Sequence, residues 1–119
     1  MELISVVIPA LNEEKDIESA IKIFLNFPDI DEVIVSIDPK TTDNTALISE
    51  RCGAKVIYSN LTGFGAVVKS GILEAKNNLI YKSDADISNL DLRTLSNVID
   101  AYKNHQNASL IKTFWDDTI

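Results

Sequence analysis

Cysteine and histidine are nearly absent: Cys52 and His105 stand alone among 119 residues, so no intrachain disulfide can form. A chain without disulfides fits a reducing compartment, and the expected location is the cytoplasm. Basic residues are in deficit, with 11 Lys and Arg against 18 Asp and Glu and a net charge of −7. That balance argues against nucleic acid or an anionic membrane as the main partner. An anionic ligand would then need local help, from a metal ion or a helix N-terminus. Long apolar runs are also missing. Leu3 to Ala10 is too short to span a bilayer and is interrupted by Pro9. No basic segment precedes a signal-type apolar stretch, and there is no repeat, low-complexity tract or linker. A hydrophobic content of 45% and a charged content of 24% describe an ordinary soluble domain. At this length the expectation is one domain, residues 1–119, with a single core.

The β-branched run Ile4 to Ile8 predicts a buried central strand. Asn12 is placed to cap a following helix, with Glu13 and Glu14 in its first turn. Ile17, Ala20, Ile21, Phe24 and Leu25 give that helix a buried face, and Pro28 stops it. Glu32 to Ile37 reads as a second strand. Thr42 or Asp43 caps a second helix that ends at Gly53. Lys55 to Tyr58 is a third strand. A loop through Gly63-Phe64-Gly65 leads to a third helix, with Val68, Gly71, Ile72 and Ala75 on one side, broken at Asn77-Asn78. Leu79 to Ser83 is a fourth strand. Leu92, Leu95, Ile99 and Tyr102 mark a fourth helix, and Ser109 to Trp115 a fifth strand. The order βαβαβαβαβ predicts an α/β fold, a doubly wound, mainly parallel sheet with helices on both faces. Ligands of such sheets bind beyond the carboxyl ends of the strands. Pro9 to Glu13, Asp38 to Thr42, Ser59 to Gly65 and Asp84 to Asp86 all follow strand ends, so one sheet edge should collect them.

Asp84 and Asp86 carry the clearest chemistry. Side chains two apart on extended backbone point to the same side, so both carboxylates can address one site. Two such groups suit a hard cation, Mg²⁺ or Mn²⁺, which can bridge to a diphosphate. A polar strand end leading into a loop is the plainer alternative for an isolated Asp-x-Asp.

Together these segments resemble the nucleotide-sugar-dependent glycosyltransferases of the GT-A fold, family 2 in particular. Val6-Val7-Ile8-Pro9-Ala10-Leu11-Asn12-Glu13-Glu14 is similar to that family's opening strand and nucleotide loop. Asp38-Pro39-Lys40-Thr41-Thr42-Asp43-Asn44-Thr45 is similar to its acidic second-strand turn, Gly63-Phe64-Gly65 to its G-K-G, and Asp84-Ala85-Asp86 to its metal-binding D-x-D. Within the fold the chain most resembles the glucosyl- or mannosyl-3-phosphoglycerate synthases, through Pro9 to Glu14, Gly53-Ala54-Lys55-Val56 and Leu110 to Trp115. The general family-2 transferases are nearly as similar. The resemblance implies hexosyl transfer from a nucleoside-diphosphate sugar, a UDP-sugar being favoured, with Mg²⁺ or Mn²⁺ as cofactor.

It also implies roles. Pro9, Ala10, Leu11 and Glu13 would line the base and ribose pocket, Glu13 accepting a ribose hydroxyl. Asp38, with Pro39 beside it, would accept from the base, most naturally uracil N3–H. Gly63 and Gly65 would let backbone approach the ligand. Asp84 would lie near the ribose or a metal-bound water, with Ala85 beside it, and Asp86 would ligate the cation. Each residue also has a structural alternative: cap and dipole partner for Asn12 and Glu13, turn opener for Asp38, ordinary loop for Gly63 and Gly65. His105 reads as a solvated helix end, Phe114 and Trp115 as packing, and Asp116-Asp117 as a tail.

Two positions depart from the family pattern. Phe64 replaces the lysine that would help hold the nucleotide's anionic part; a phenyl ring can stack over a site but brings no charge. Pro39 replaces an Asp or Ser that would contact the base. The resemblance covers the nucleotide-binding half of a family member. The acceptor half, with any catalytic base, is not represented, and the catalytic residues stay unknown. A non-catalytic nucleotide-binding remnant or an assembly subunit, such as a homodimer, is the alternative reading.

Overall fold

The computed structural model describes residues 3–87 and 89–105. β-Branched residues crowd the first two strands because those strands are covered on both faces. β1 (Ile4–Ala10) has Val6, Val7 and Ile8 fully buried, and β2 (Ile30–Ile37) has Ile34 and Val35 fully buried. They are followed in space by β3 (Lys55–Tyr58) and β4 (Leu79–Lys82). All pairings are parallel, and among the described residues the sheet runs β3-β2-β1-β4. The chain steps outward from β1 through β2 to β3, then crosses back to place β4 on the other side of β1. The order therefore reverses at β1.

The connecting helices are α1 (Ile17–Leu25), α2 (Thr45–Arg51) and α3 (Phe64–Glu74). The strand pleat assigns them to faces. Tyr81 pairs with Val6 in register, and its ring lies 6.0 Å from that of Phe24, so Val6 and Tyr81 face α1. Val7 and Ser36 face α3. A Cβ added at Gly71 would lie 2.4 Å from Val7 Cγ1, so only glycine lets α3 approach β1 this closely. The buried Ser36 hydroxyl donates to the Val67 carbonyl at 2.7 Å, tying the helix to the same face. The predicted doubly wound architecture is present through β4.

Contacts divide the chain after Asp86. The second unit contains α4 (Asn89–His105), in which Leu95 and Ile99 are buried and Leu92 is partly so. The predicted strand from Ser109 to Trp115, the Asp116-Asp117 tail and the side chains of Tyr102 and His105 lie outside the described residues.

Several local expectations are corrected. Asn12 does not cap α1, which begins at Ile17 after a turn closed by Asp16 N–H and Ile17 N–H donating to the Glu13 carbonyl. Asn12 instead adopts left-handed backbone, φ 54°, a conformation Asn tolerates better than most side chains. Leu25 is 39% exposed because it lies at the helix end, beside the turn at Gly53. On α2 the cap position is Asn44, whose own side chain makes no capping bond. The Asp43 carboxylate accepts from Thr45 N–H at 3.0 Å instead. The end of α2 is as expected, with Cys52 as cap and Gly53 at φ +95°.

Candidate functional site

Three loops leave the carboxyl ends of β1, β2 and β3, and side chains bind each to the next. Asn12 Oδ1 accepts from Thr42 N–H at 2.8 Å, Asp43 N–H at 3.2 Å and the Thr42 hydroxyl at 3.3 Å. Glu13 N–H donates to the Thr45 hydroxyl oxygen at 2.9 Å, and Glu14 N–H to Asp43 Oδ2 at 3.1 Å. The left-handed turn at Asn12 aims its amide oxygen at the β2 loop and satisfies two of that loop's N–H groups. Burial pushes the Asp43 carboxyl up, but the hydrogen bonds from Thr45 and Glu14 outweigh it and hold it below the usual carboxylate range.

Asp38, buried at the end of β2, links the second loop to the third. Its Oδ1 accepts from Lys40 N–H at 2.9 Å and the Thr62 hydroxyl at 2.8 Å; Oδ2 accepts from Gly63 N–H at 3.0 Å. The backbone donors Lys40 and Gly63 lower its pKa, with Thr62 and the Lys40 charge adding to them. Gly63 has φ +105°, which a side chain would strain, and a Cβ at Gly65 would meet open space.

These loops enclose a cavity of about 310 Å³. The β1 loop contributes Pro9, Ala10, Leu11 and Glu13; the β2 loop, Asp38 and Lys40; the β3 loop and α3, Thr62, Gly63, Phe64 and Val67; and the β4 end, Asp84. Seven of the sequence-predicted site residues, Pro9, Ala10, Leu11, Glu13, Asp38, Gly63 and Asp84, thus meet in one concavity. Pro39, Gly65, Ala85 and Asp86 are not among its walls: Pro39, Gly65 and Asp86 are exposed beside it, and Ala85 is buried. Asp84 and Asp86 are exposed and Ala85 between them is buried, all three past the end of β4 at Lys82 rather than on the strand that their spacing implied.

Glu13 is not matched by a cation. Burial raises the pKa of Glu13, and the negative charges of Asp86, Asp16, Asp84 and Asp43 raise it further. Among the described residues no three His, Cys, Asp or Glu side chains are grouped to hold an ion by themselves. The donor set is two hard carboxylate oxygens in an anionic field. That fits a Mg²⁺ or Mn²⁺ ion completed by ligand phosphates rather than caged by protein. Lys82, inside β4, donates to Asp84 Oδ1 at 3.0 Å while its own side chain is only 5% exposed.

Lys40, Thr62, Val67 and Lys82 were not anticipated. Lys82 had a sequence signal, a charged residue within an apolar strand and two positions before Asp84. Lys40 and Thr62 lay within the strand-end segments expected at this edge, but nothing in the sequence singled them out there. Among the described residues no helix is long and apolar enough to cross a membrane.

A model of glycosyl transferase family 2 matches residues 5–116. The chain is 30% identical to glucosyl-3-phosphoglycerate synthase of Petrotoga mobilis, over 98% of this chain and 39% of that protein. It is 39% identical to an uncharacterized glycosyltransferase of Rickettsia bellii over 70% of this chain and 27% of that one. The crystal structure of glucosyl-3-phosphoglycerate synthase from Mycobacterium tuberculosis with Mn²⁺, UDP and glucosyl-3-phosphoglycerate aligns with a TM-score of 0.66. The identity there is 31%, over 74% of this chain and 35% of that one. The chain spans 39% or less of the length of each of these relatives.

Proposed function

The chain belongs to glycosyl transferase family 2, and from that premise we propose that its cavity receives the nucleoside diphosphate of a UDP-sugar as the donor site of a hexosyl transfer. Its fold is that of the GT-A glycosyltransferases. The observation that carries the proposal is the convergence of four strand-end segments on one cavity at the point where strand order reverses.

Each wall has work suited to a nucleotide. Pro9, Ala10 and Leu11 offer the apolar surface that a base covers. Asp38 already accepts three donors, which orients it. A carboxylate has about four lone-pair positions, so one acceptor position remains for uracil N3–H. Pro39 stands beside it without a polar side chain. Glu13, a cavity wall, would accept a ribose hydroxyl, and its raised pKa falls if a cation arrives to offset its acidic neighbours. Gly63 and Gly65 leave the start of α3 open, where the amides of the first helical turn have no partners within the helix and suit an anion.

Asp86 and Asp84 would hold the divalent cation, which supplies charge neutralisation to the diphosphate as it departs. The solved relative of Mycobacterium tuberculosis binds Mn²⁺ with UDP, which supports the same pairing here. An acceptor must be positioned as well as a donor for transfer to occur. The donor sugar and the acceptor are therefore properties of the whole transferase, and this site addresses the nucleotide.

Calorimetric titration of the chain with UDP and GDP, in Mn²⁺ or Mg²⁺ and then in EDTA, tests the reading. Metal-dependent binding of UDP, with GDP weaker, is the expected result. Heat from neither nucleotide would sink the donor-site assignment.

A further inference from the structure

The cavity has too little positive charge for the ligand proposed for it. Its walls carry three carboxylates, Glu13, Asp38 and Asp84, against one ammonium, Lys40, which lies on an exposed loop. The Gly63-Phe64-Gly65 loop brings no cation. One further ammonium lies at the cavity's edge. Lys82 Nζ is 3.0 Å from Asp84 Oδ1 and 4.8 Å from the centroid of the Phe64 ring, and both partners are cavity walls.

This placement follows from the pleat. Lys82 pairs with Val7 in register and so projects toward the face that carries α3, whose first residue is Phe64. An ammonium with its side chain 5% exposed needs compensation. It receives one carboxylate and one ring face, the latter within the ~6 Å over which cation–π attraction operates. An ammonium carries three N–H donors. Of these, the carboxylate Oδ1 of Asp84 takes one. Phe64, 53% exposed at the cavity wall, then serves as the platform that keeps the ammonium from swinging into solvent.

We propose that Lys82, braced on the Phe64 ring and oriented by Asp84, is a diphosphate-binding residue of the donor site, its charge supplied from strand β4. The proposal rests on the donor-site reading above and adds a specific ligand atom class, the phosphate oxygens. Pairing with Lys82 also offsets one of the two candidate metal carboxylates, leaving Asp86 the more available to an ion.

The test is titration of the chain with UDP and with uridine in Mn²⁺, the weaker ligand followed by ligand-observed NMR. Lys82→Met should weaken UDP about tenfold to a hundredfold, the effect of losing one charge-assisted hydrogen bond, and leave uridine unchanged. Lys82→Arg should keep most of the UDP affinity. Lys82→Met combined with Phe64→Lys should recover part of it by returning an ammonium from the loop. If circular dichroism shows Lys82→Met unfolded, Phe64→Leu replaces it and should weaken UDP about threefold, again sparing uridine. Equal UDP affinity in wild type and variant, or parallel losses of UDP and uridine, would overturn the role of Lys82 while leaving the donor site standing. A wild-type chain that binds neither ligand would overturn both.

Discussion

At the amino edge of the sheet, Asp31 and Glu32 sit in a mesh of donors. Asn77 Nδ2 donates to Asp31 at 2.6 Å, Lys76 Nζ pairs with Asp31 at 3.2 Å, and the Ser5 hydroxyl donates to Glu32 at 2.7 Å. At the carboxyl edge, Glu13 faces Asp84 and Asp86 and has no cation of its own among its perturbing neighbours. The consequences have opposite sign. Burial pushes Asp31 up, but Asn77 and Lys76 outweigh it and leave its pKa lowered, whereas burial and like charge both raise Glu13. One edge has satisfied its carboxylates internally. At the other, Asp38, Asp43 and Asp84 have donors but Glu13 is left among like charges, which costs stability and creates a demand for a cation.

The largest expected effect breaks the carboxyl edge as a binding site. Asp86→Ala should weaken Mn²⁺-dependent UDP binding about a hundredfold, roughly 3 kcal/mol for a lost charged contact. Its thermal midpoint should match wild type, because Asp86 is exposed. Calorimetry and a melting curve on the same sample check both halves; unchanged binding would remove Asp86 from the metal site.

Next in size is Asn12→Ala, which removes the bonds between the β1 and β2 loops and puts alanine at φ 54°. Urea unfolding should register a loss of about 2 kcal/mol, from hydrogen bonds of about 1 kcal/mol each and the left-handed backbone. UDP affinity should fall as well, since the loop carrying Leu11 and Glu13 is no longer held.

The smallest effects sharpen the comparison through pH. Asp31 has a lowered folded pKa, so its contribution is present above its ordinary value of 3.8 and lost as pH falls through the folded value. Asp31→Asn should cost about 0.5 kcal/mol at neutral pH, in keeping with a solvent-screened pair, and nothing in strong acid. Glu13 has a raised folded pKa, so its stability contribution is full below its ordinary value of 4.5 and is lost as pH rises through the folded value. Glu13→Gln should therefore stabilise the chain by about 0.5 kcal/mol at neutral pH and make no difference well below pH 4.5. Melting temperature against pH for the two variants should give difference curves of opposite sign; curves of the same sign would mean that the two edges are electrostatically alike.

Much of this was legible in the residues. β-Branched runs and helical spacing located β1 to β4 and α1 to α3, and the parallel βαβ rule then placed four strand-end segments on one edge. Asp84 and Asp86 stood out as a pair from their spacing, but β4 ends at Lys82 before them and only Asp84 lines the cavity. The misreadings at Asn12 and Thr42 share one cause, whereas Asp43, one residue before the cap position, does accept from the Thr45 N–H that opens α2. A polar residue before a helix looks like a cap, whatever else its side chain is bonded to. Asn12 bonds a loop 30 residues away, and Asp38 a glycine 25 residues away.

The sequence by itself determined the elements, the parallel order and the edge on which chemistry would collect, because these follow from local periodicity and from the handedness of the chain. Only the tertiary structure decided which loop atoms meet. That Asn12 holds the β2 loop, that Asp38 is oriented by Thr62 and Gly63, and that Lys82 comes to rest on Phe64 depend on strand register and on the positive-φ backbone at Asn12 and Gly63. Hydrogen bonds and ring contacts form over a few ångströms between segments far apart in the chain. Local propensity is blind to such distances until packing sets them.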